Sequence, residues 1–489
     1  MRRTKAILAG LTFFLGLCGP AAEAQNFPAD PVLKPNAPVD PHRPLAQELD
    51  SSASPFLSVT SVGTLLLNAP DAPPVIDSWV AGMLNGTAQS SAGPNVSVGT
   101  LQGPIFDLKS TKAFPYPWNS AAADWSPTPY PNPQFPVLRS SPATAALLRQ
   151  SGFNALMLAN DHTLDWGIEG MRATAATLDA NGIVRAGAGE TGSLAAHANY
   201  VEQAAGAGRV AFVSTATTFR PTSNALDSRG AAPGRPGVAG IELAATRLLP
   251  TEQFSRLQAI ACAYAYPGAV AACPKTDTVS LFNNSFVVST APENDDTTRY
   301  DIDRFEAERF VHAIREGKES ADLLVASIHA GQVENARSTS YPTPAFLRAL
   351  AHSAIDAGAD IVAATGLPYV GAIEIYRPAS GVPRPIFYGL GSFLWTPGLA
   401  PALSNYNSTS ILVKTTINGY YLTVDIFPLD LSATGTLPAG SPHLAAKDKA
   451  LAVLSQLQQL SAPFGTTISM VNYQQTAQGR ISVPLSPAK

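Results

Sequence analysis

The sequence predicts an α/β fold in which a mixed β-sheet sandwich is covered by helices. Helical and apolar extended segments alternate from position 142 onward, a pattern typical of parallel or mixed sheets. Hydrophobic residues make up 45% of the chain and charged residues only 14%, a composition that supports a large core. Gly152 and Gly182 occur where a predicted helix ends and a strand is about to begin, as glycines at helix C-termini commonly do.

The predicted elements follow one another in an order set by local patterns. Two short β-rich runs, 56–67 and 95–107, each contain a Val-Gly-Thr step. They are predicted to be strands whose following loops lie at one edge of a sheet. After the first helix, "PATAALLRQSG", the strand "NALMLAN" and the helix "GIEGMRATAATLDANG" continue the alternation. After position 300, helices and strands resume, and the run "RPIFYGLGSFLW" (384–395) is predicted as one strand.

The chain divides into four predicted regions. Basic residues, an apolar stretch and "AEA" before Gln25 predict a cleavable export signal over 1–24, which places the protein in the periplasm or outside the cell. A proline-rich tether follows over 25–52. The main α/β domain is predicted over 53–435, with the irregular stretch 217–300 as an insertion, and a helix and strand extension over 436–489 ends the chain.

Composition and cysteine usage narrow the classes of function. The net charge of −4 argues against a protein that binds nucleic acid through a basic surface. If the signal is removed, Cys18 leaves with it, and Cys262 and Cys273 remain as a pair in an oxidising compartment. A disulfide between them is the preferred interpretation, and two buried thiols are the alternative.

A ring-rich segment at 114–136 has two interpretations. Its prolines alternate with aromatic residues, including Trp118 and Trp125, over a length too great for an ordinary turn. Exposed rings there would stack on a sugar or hold a polymer backbone. Alternatively, the rings pin a long loop to the core.

The strand ends carry the candidate catalytic residues, because ligands of open α/β sheets gather at the carboxyl ends of the strands. Asn160, Asp161 and His162 directly follow a predicted strand, and Asp165 lies one turn later. Such a cluster suits a divalent cation, or a histidine held by a carboxylate as general acid. The alternative is structural: Asp165 caps the next helix and His162 bonds a neighbouring loop.

His329 gives a second signal at a strand end. It ends the apolar strand "LLVASIH", and a second strand-end histidine in what is predicted to be the same sheet favours a site shared with His162. The other histidines are interpreted as surface or packing residues: His42, His197, His312, His352 and His443.

Several blocks together resemble a known family. "GFNALMLANDHTLDWGIEGMRATAATLDANGIVRAGAGET", "ASIHAGQ", "AIDAGADIV" and "IFYGLGSFLW" are similar to motifs of the CapA family. These are exported capsule and poly-γ-glutamate synthesis proteins whose core is related to the calcineurin-like metallophosphoesterases. The resemblance covers about residues 53–430 and implies a metallophosphoesterase-like core.

The chain departs from the family pattern at several ligand positions. The family usually has Gly-Asp, Asn-Leu-Glu, Gly-His-Pro-His and Leu-Gly-Asn-Phe where this chain has Gly63-Thr64, Thr100-Leu101-Gln102, Gly366-Leu367-Pro368-Tyr369 and Leu390-Gly391-Ser392-Phe393. The matching candidates are Asn160, His162, Asp165 and His329. A two-metal site needs carboxylates to offset its charge, so the pattern predicts an eroded site.

Two functional hypotheses follow from the resemblance. In the first, the protein serves synthesis or retention of a capsule or poly-γ-glutamate type polymer with little or no phosphoesterase activity. In the second, it is an active hydrolase or transferase in which His162, Asp165 and His329 are catalytic. A divalent Mn, Zn or Mg ion would then be held by Asn160, Asp161, His162 and His329. The expected partner is an extracellular anionic polymer or cell-envelope component, with peripheral membrane association with a synthesis or export complex.

Overall fold

A computed structural model describes most of the chain after the predicted tether. The described residues are 57–87, 95–113, 115, 137–203, 208–268, 273–274, 276–281, 284–289, 297–334, 342–396 and 408–485. The predicted export signal, the tether and nearly all of the ring-rich segment, including Trp118 and Trp125, lie outside these residues. None of the helices in the described ranges combines the length and apolarity needed to cross a bilayer.

The described part of the chain alternates strands and helices. The strands are β1 (Leu57–Leu66), β2 (Asn95–Gln102), β3 (Phe153–Met157), β4 (Val184–Ala186), β5 (Ala188–Gly189), β6 (Asn199–Glu202), β7 (Arg209–Ala216), β8 (Gly237–Val238), β9 (Leu243–Leu249), β10 (Thr278–Leu281), β11 (Asn284–Val288), β12 (Thr298–Ile302), β13 (Leu323–His329), β14 (Ile361–Thr365), β15 (Ile373–Tyr376), β16 (Arg384–Phe387), β17 (Ser392–Trp395), β18 (Thr409–Ile417), β19 (Tyr421–Asp430), β20 (His443–Leu444), β21 (Ser469–Tyr473) and β22 (Thr476–Pro484). The helices are α1 (Ser78–Leu84), α2 (Pro142–Gln150), α3 (Gly167–Ala180), α4 (Gly192–Ala196), α5 (Thr251–Ala265), α6 (Arg304–Glu319), α7 (Ala345–Asp356) and α8 (Lys447–Ser461).

Two large mixed sheets form the body of the fold. The ten-stranded sheet has the order β21-β22-β19-β18-β1-β2-β3-β4, with β17 beside β1 and β20 beside β19. The six-stranded sheet has the order β15-β16-β14-β13-β7-β6. In the ten-stranded sheet, β1 to β4 run parallel to one another, and β18 pairs antiparallel with both β1 and β19. In the six-stranded sheet, β16, β14, β13 and β7 are parallel, and the edge strands β15 and β6 are antiparallel to them.

Apolar faces hold the layers together. Residues from both sheets, including Val59, Val98, Phe212 and Val325, form one buried cluster between them. On the outer face of the ten-stranded sheet, α1, α2 and α3 pack over a second cluster, and α4, α6 and α7 cover the six-stranded sheet with a third. The predicted sandwich is therefore confirmed. Helices α1 to α4, α6 and α7 cover the outer faces, whereas α8 packs against β19, β22 and β15 within the cluster between the sheets.

The helix termini agree with the local sequence. Gly152 and Gly182 follow the ends of α2 and α3 with φ values of +107° and +64°, a region in which glycine is favoured. At the start of α6, the Asp303 side chain accepts a hydrogen bond from the Glu306 backbone N–H. These contacts fix where the chain leaves one layer for the next.

Two sequence predictions about the fold are wrong, one of them in part. The run 384–395 is two strands, β16 and β17, which belong to different sheets, and Gly391 with φ +74° lies between them. The stretch 217–300 is irregular only in part, because α5 packs on a four-stranded sheet of order β10-β11-β9-β12 whose first strand along the chain, β9, begins at Leu243. A disulfide joins Cys262 of α5 to Cys273, with their Cα atoms 5.5 Å apart.

Candidate functional site

The carboxyl ends of strands from both sheets meet at one edge of the sandwich. β2 ends at Gln102 in the ten-stranded sheet, and β13 and β14 end at His329 and Thr365 in the six-stranded sheet. A hydrogen bond of 3.1 Å from Thr365 Oγ1 to Thr100 Oγ1 joins the two sheets there. The sequence prediction that His162 and His329 belong to the same sheet is wrong, because His162 follows β3. The stacking of the sheets nevertheless brings the two strand ends together.

Gln102, Asp161 and His329 form the centre of the cluster. The Gln102 amide nitrogen lies 2.9 Å from Asp161 Oδ1 and 3.3 Å from His329 Nε2. Asp161 Oδ1 is itself 3.4 Å from His329 Nε2. An amide NH₂ carries two hydrogens and no acceptor, so one can point at the carboxylate and the other at the imidazole. Gln102 and His329 are buried, while 24% of the Asp161 side chain is exposed.

Polar contacts on both sides of the ring hold His329 in place. His329 Nε2 lies 3.3 Å from the Gln102 amide nitrogen and 3.4 Å from Asp161 Oδ1. His329 Nδ1 lies 3.3 Å from Thr365 Oγ1, and the Thr365 hydroxyl donates onward to Thr100. The imidazole ring is therefore held from both sides.

A second pair, His162 and Asp165, lies directly beside this cluster. His162 Nδ1 is 2.8 Å from Asp165 Oδ2, and its Nε2 is 3.8 Å from Asp161 Oδ2. Burial alone would lower the pKa of His162, but the charges of Asp165 and Asp161 outweigh it and raise the pKa to about 9. His162 is therefore an imidazolium at neutral pH, held between two carboxylates.

The positive charge of His162 in turn lowers the pKa of Asp161. Burial alone would raise the pKa of the Asp161 carboxyl. The positive charge of His162, together with hydrogen bonds from His329 and Gln102, outweighs that effect and holds the pKa well below its usual range. Asp161 is therefore ionised throughout the physiological range.

Asp165 is fully buried and has three partners. Its Oδ2 accepts from the Leu138 backbone N–H at 2.8 Å as well as meeting His162, and its Oδ1 accepts from Arg220 Nη2 at 2.6 Å. The structural alternative in which Asp165 caps the next helix is wrong, because the N-cap of α3 is Trp166 and no side-chain cap bond is made. Asp165 instead joins three separate segments of chain at the site.

Asn160 is bound to the surrounding backbone. Its amide nitrogen donates to the carbonyl oxygens of Leu101 and Leu158 at 2.7 and 3.2 Å, and its Oδ1 accepts from the His162 N–H at 2.9 Å. The Thr163 hydroxyl also donates to the Leu158 carbonyl. These bonds hold the loop after β3 in the conformation that directs Asp161 and His162 toward the strand ends.

The donor set does not fit a pair of metal ions. The strand-end residues that would supply bridging carboxylates are the neutral Thr64 and Gln102, and both are buried. The Gln102 amide nitrogen occupies the place between Asp161 Oδ1 and His329 Nε2 that a cation would need, and the protonated His162 has no lone pair to offer. Among the described residues, no group of three or more His, Cys, Asp or Glu side chains is arranged to hold a metal ion.

The structure brings the predicted catalytic and metal candidates together and adds four residues, Thr100, Gln102, Arg220 and Thr365. Asp161, His162, Asp165 and His329 lie in one connected network, and Asn160 supports it through the backbone. Thr100 and Gln102 belong to a block that departs from the family's ligand pattern, and Thr365 directly precedes another such block, so the sequence located these positions without selecting them as site residues. Arg220 lies in the stretch interpreted as an insertion, where no local pattern indicates a role.

Comparisons with known proteins extend over most of the chain. A family model described as "Bacterial capsule synthesis protein PGA_cap" matches residues 121–396. Two proteins of Sinorhizobium fredii (strain NBRC 101917 / NGR234), "Uncharacterized protein y4sH" and "Uncharacterized protein y4uA", are each 30% identical to this chain over 417 residues. Each alignment covers 77% of this chain and 84% of the relative. The names of these two relatives state no activity.

Proposed function

Because the chain belongs to the bacterial capsule synthesis protein (PGA_cap) family, which is the CapA family, we propose that it serves the synthesis or retention of a capsule or poly-γ-glutamate type polymer as a binding or scaffolding component. In this proposal it performs no metal-dependent hydrolysis. The observation that carries it is the position of the Gln102 amide, 2.9 Å from Asp161 and 3.3 Å from His329.

The charges of the cluster support a metal-free state. Asp161 is offset by the adjacent His162 imidazolium, and Asp165 by His162 and Arg220. Each buried carboxylate therefore already has a cationic partner, which is what a buried charge requires. A dication would have to displace the Gln102 amide and deprotonate His162 before it could bind.

The cellular setting remains part of the proposal. The export signal predicted over 1–24 supports a periplasmic or secreted protein. We expect its partner to be an extracellular anionic polymer or another cell-envelope component, reached through peripheral association with a synthesis or export complex.

Metal addition tests the proposal directly. Purified protein is dialysed against chelator, and its melting temperature and its hydrolysis of a phosphoester model substrate are measured with and without Mn²⁺ or Zn²⁺. Both should stay unchanged, because a ligand stabilises a protein only if it binds the folded state. One equivalent of tightly held metal together with turnover would contradict the proposal.

One observation favours a second candidate, an active hydrolase or transferase on a phosphoester or amide-linked polymer. The His162 pKa of about 9 keeps a proton on an imidazole beside the partly exposed Asp161, as a general acid requires. In this candidate Asp165 orients His162, and His329 stabilises an oxyanion. His162→Ala and His329→Ala should each abolish such activity while the circular dichroism spectrum stays native, and full activity in either variant would exclude it.

A further inference from the structure

A pocket of about 680 Å³ opens beside the network of Asp165. It lies between the start of α3 and the segment 220–236, and Arg220, the partner of Asp165, forms part of its wall. Its volume is within the range of about 300–1,000 Å³ that is usual for small-molecule sites. None of the atoms of Gln102, Asp161 or His329 lines it.

The walls of the pocket are mainly apolar. Trp166 and Ile168 line it together with Leu164 and Pro236. The Trp166 ring is held in place, because its Nε1 donates to the Leu138 carbonyl at 2.9 Å and Phe106 packs edge-on at 5.6 Å. A fixed aromatic ring offers a large contact area without a loss of conformational freedom on binding.

Hydrogen-bond donors and acceptors lie beside the apolar residues of the pocket. Arg172 is bound to Glu190 through two bonds of 2.7 and 2.6 Å, and its third nitrogen meets Glu169 at 2.9 Å. Arg235 Nε donates to the Asn224 carbonyl at 2.9 Å. These bonds hold the guanidinium groups in place, while half of the Glu169 side chain is exposed and provides an acceptor.

The charges do not add up to a basic site. Three arginines line the pocket: Arg172 pairs with Glu169 and Glu190, Arg220 pairs with Asp165, and Arg235 bonds the Asn224 carbonyl. The whole chain carries a net charge of −4. A chain of carboxylates offers only acceptors and would be repelled by Glu169, whereas hydroxyl groups donate to a carboxylate and accept from a guanidinium.

We propose that this pocket binds a saccharide, with a sugar ring against Trp166 and Ile168 and its hydroxyls on Glu169, Arg172 and Arg235. The combination of a fixed ring with fixed donors and acceptors suits an apolar ring face edged by hydroxyls. The inference concerns binding at the pocket and holds whether or not the Gln102 cluster is metal-free.

Calorimetric titration of the full chain with four probes tests the proposal. The probes are chitotetraose, maltotetraose, a galacturonate tetramer and a γ-linked glutamate tetramer. At least one of the two neutral saccharides should bind, and Trp166→Ala should weaken that binding by about tenfold or more, as the loss of a central aromatic contact does. Binding of the galacturonate or glutamate tetramer alone, or of none of the probes, would overturn the proposal.

Milder variants guard against loss of folding in Trp166→Ala. Glu169→Gln and Arg235→Gln change polar groups at the pocket and should each weaken saccharide binding several-fold. The matched controls are Glu252→Gln and Arg256→Gln, which alter another Glu–Arg pair on helix α5 that is 77% and 76% exposed. Those controls should bind like the unchanged protein, and equal losses in the pocket variants and the controls would overturn the proposal.

Discussion

The side-chain amide of Gln102 lies 2.9 Å from Asp161 Oδ1, and this bond links the end of β2 to the loop after β3. The same nitrogen is 3.3 Å from His329 Nε2 in the opposite sheet. One neutral residue therefore holds together a carboxylate and an imidazole that could otherwise serve as ligands. The electrostatic character of the whole site depends on this side chain.

Replacing Gln102 with glutamate should create affinity for a divalent ion. The new carboxylate and that of Asp161 would then both lie beside His329, a donor set that suits Mn²⁺ or Zn²⁺. Without metal the two charges repel, so the melting temperature should fall. An ion at a hundred times its Kd should add about 2.7 kcal/mol, which a thermal-shift titration would detect as a rise of several degrees.

The chain offers a matched control for this substitution. Gln478 Nε2 donates to Asp425 Oδ1 at 2.6 Å, and the same oxygen accepts from Arg480 Nε at 2.6 Å. Metal should not raise the melting temperature of Gln478→Glu, because Arg480 offsets part of the added charge and no histidine bond to this pair is present among the described residues. If metal does not raise the melting temperature of Gln102→Glu, the position between Asp161 and His329 cannot hold a divalent ion.

Asp165→Asn should destabilise the fold strongly. The variant removes the carboxylate from His162 and leaves the Arg220 guanidinium, 11% exposed, without its ion-pair partner. Breaking a buried ion pair costs about 3–5 kcal/mol, and urea unfolding would measure the loss. Asp301→Asn, which breaks the exposed pair with Arg299, should change the unfolding free energy by less than about 1 kcal/mol.

The stability of the protein should fall as the pH rises above neutrality. The folded-state pKa of His162 is about 9, above its unfolded value of 6.5, so its contribution is fully present below pH 6.5 and is lost as the pH rises through 9. The difference corresponds to at most about 3 kcal/mol of unfolding free energy. The depressed pKa of Asp161 stabilises the folded protein at every pH above the ordinary pKa of an aspartate. That contribution is lost only as the pH falls into strong acid.

Urea unfolding of His162→Gln between pH 6 and 10 checks this dependence. The variant should lose most of the decline, because glutamine does not titrate in this range. His312→Gln, which alters an exposed histidine paired with Glu316, should keep the profile of the unchanged protein. A decline of the same size in His162→Gln would assign the pH dependence to another group.

Gly63→Ala should be among the most damaging single substitutions. A Cβ at Gly63 would lie 1.8 Å from the Gly391 carbonyl oxygen, which accepts from the Thr64 N–H at 3.1 Å. Backbone must move to make room, and we expect a loss of more than about 4 kcal/mol. Gly419→Ala meets no atom within 4 Å and should change stability by less than about 0.5 kcal/mol. Comparable melting temperatures in the two variants would contradict the close approach.

The local sequence predicted much of the site because strand ends can be recognised without the fold. Asp161, His162 and His329 each follow an apolar run, so their place at the carboxyl edge required only the rule that ligands gather there. The partners of Asp165 could not be predicted. Leu138 is 27 residues away and Arg220 is 55, and no periodicity connects such distant positions.

The sequence by itself determined the α/β class, the glycine helix ends and the strand-end candidates, because these depend on periodicity and on the conformational preferences of single residues. Only the tertiary structure decided that 384–395 contributes strands to two sheets, that β9 to β12 form a separate sheet, and that the Gln102 amide lies beside both Asp161 and His329. The physical reason is that long-range contacts depend on how the two sheets stack, and burial then fixes which side chains meet there. Whether a strand end presents ligands or a closed hydrogen-bond network is set at that level.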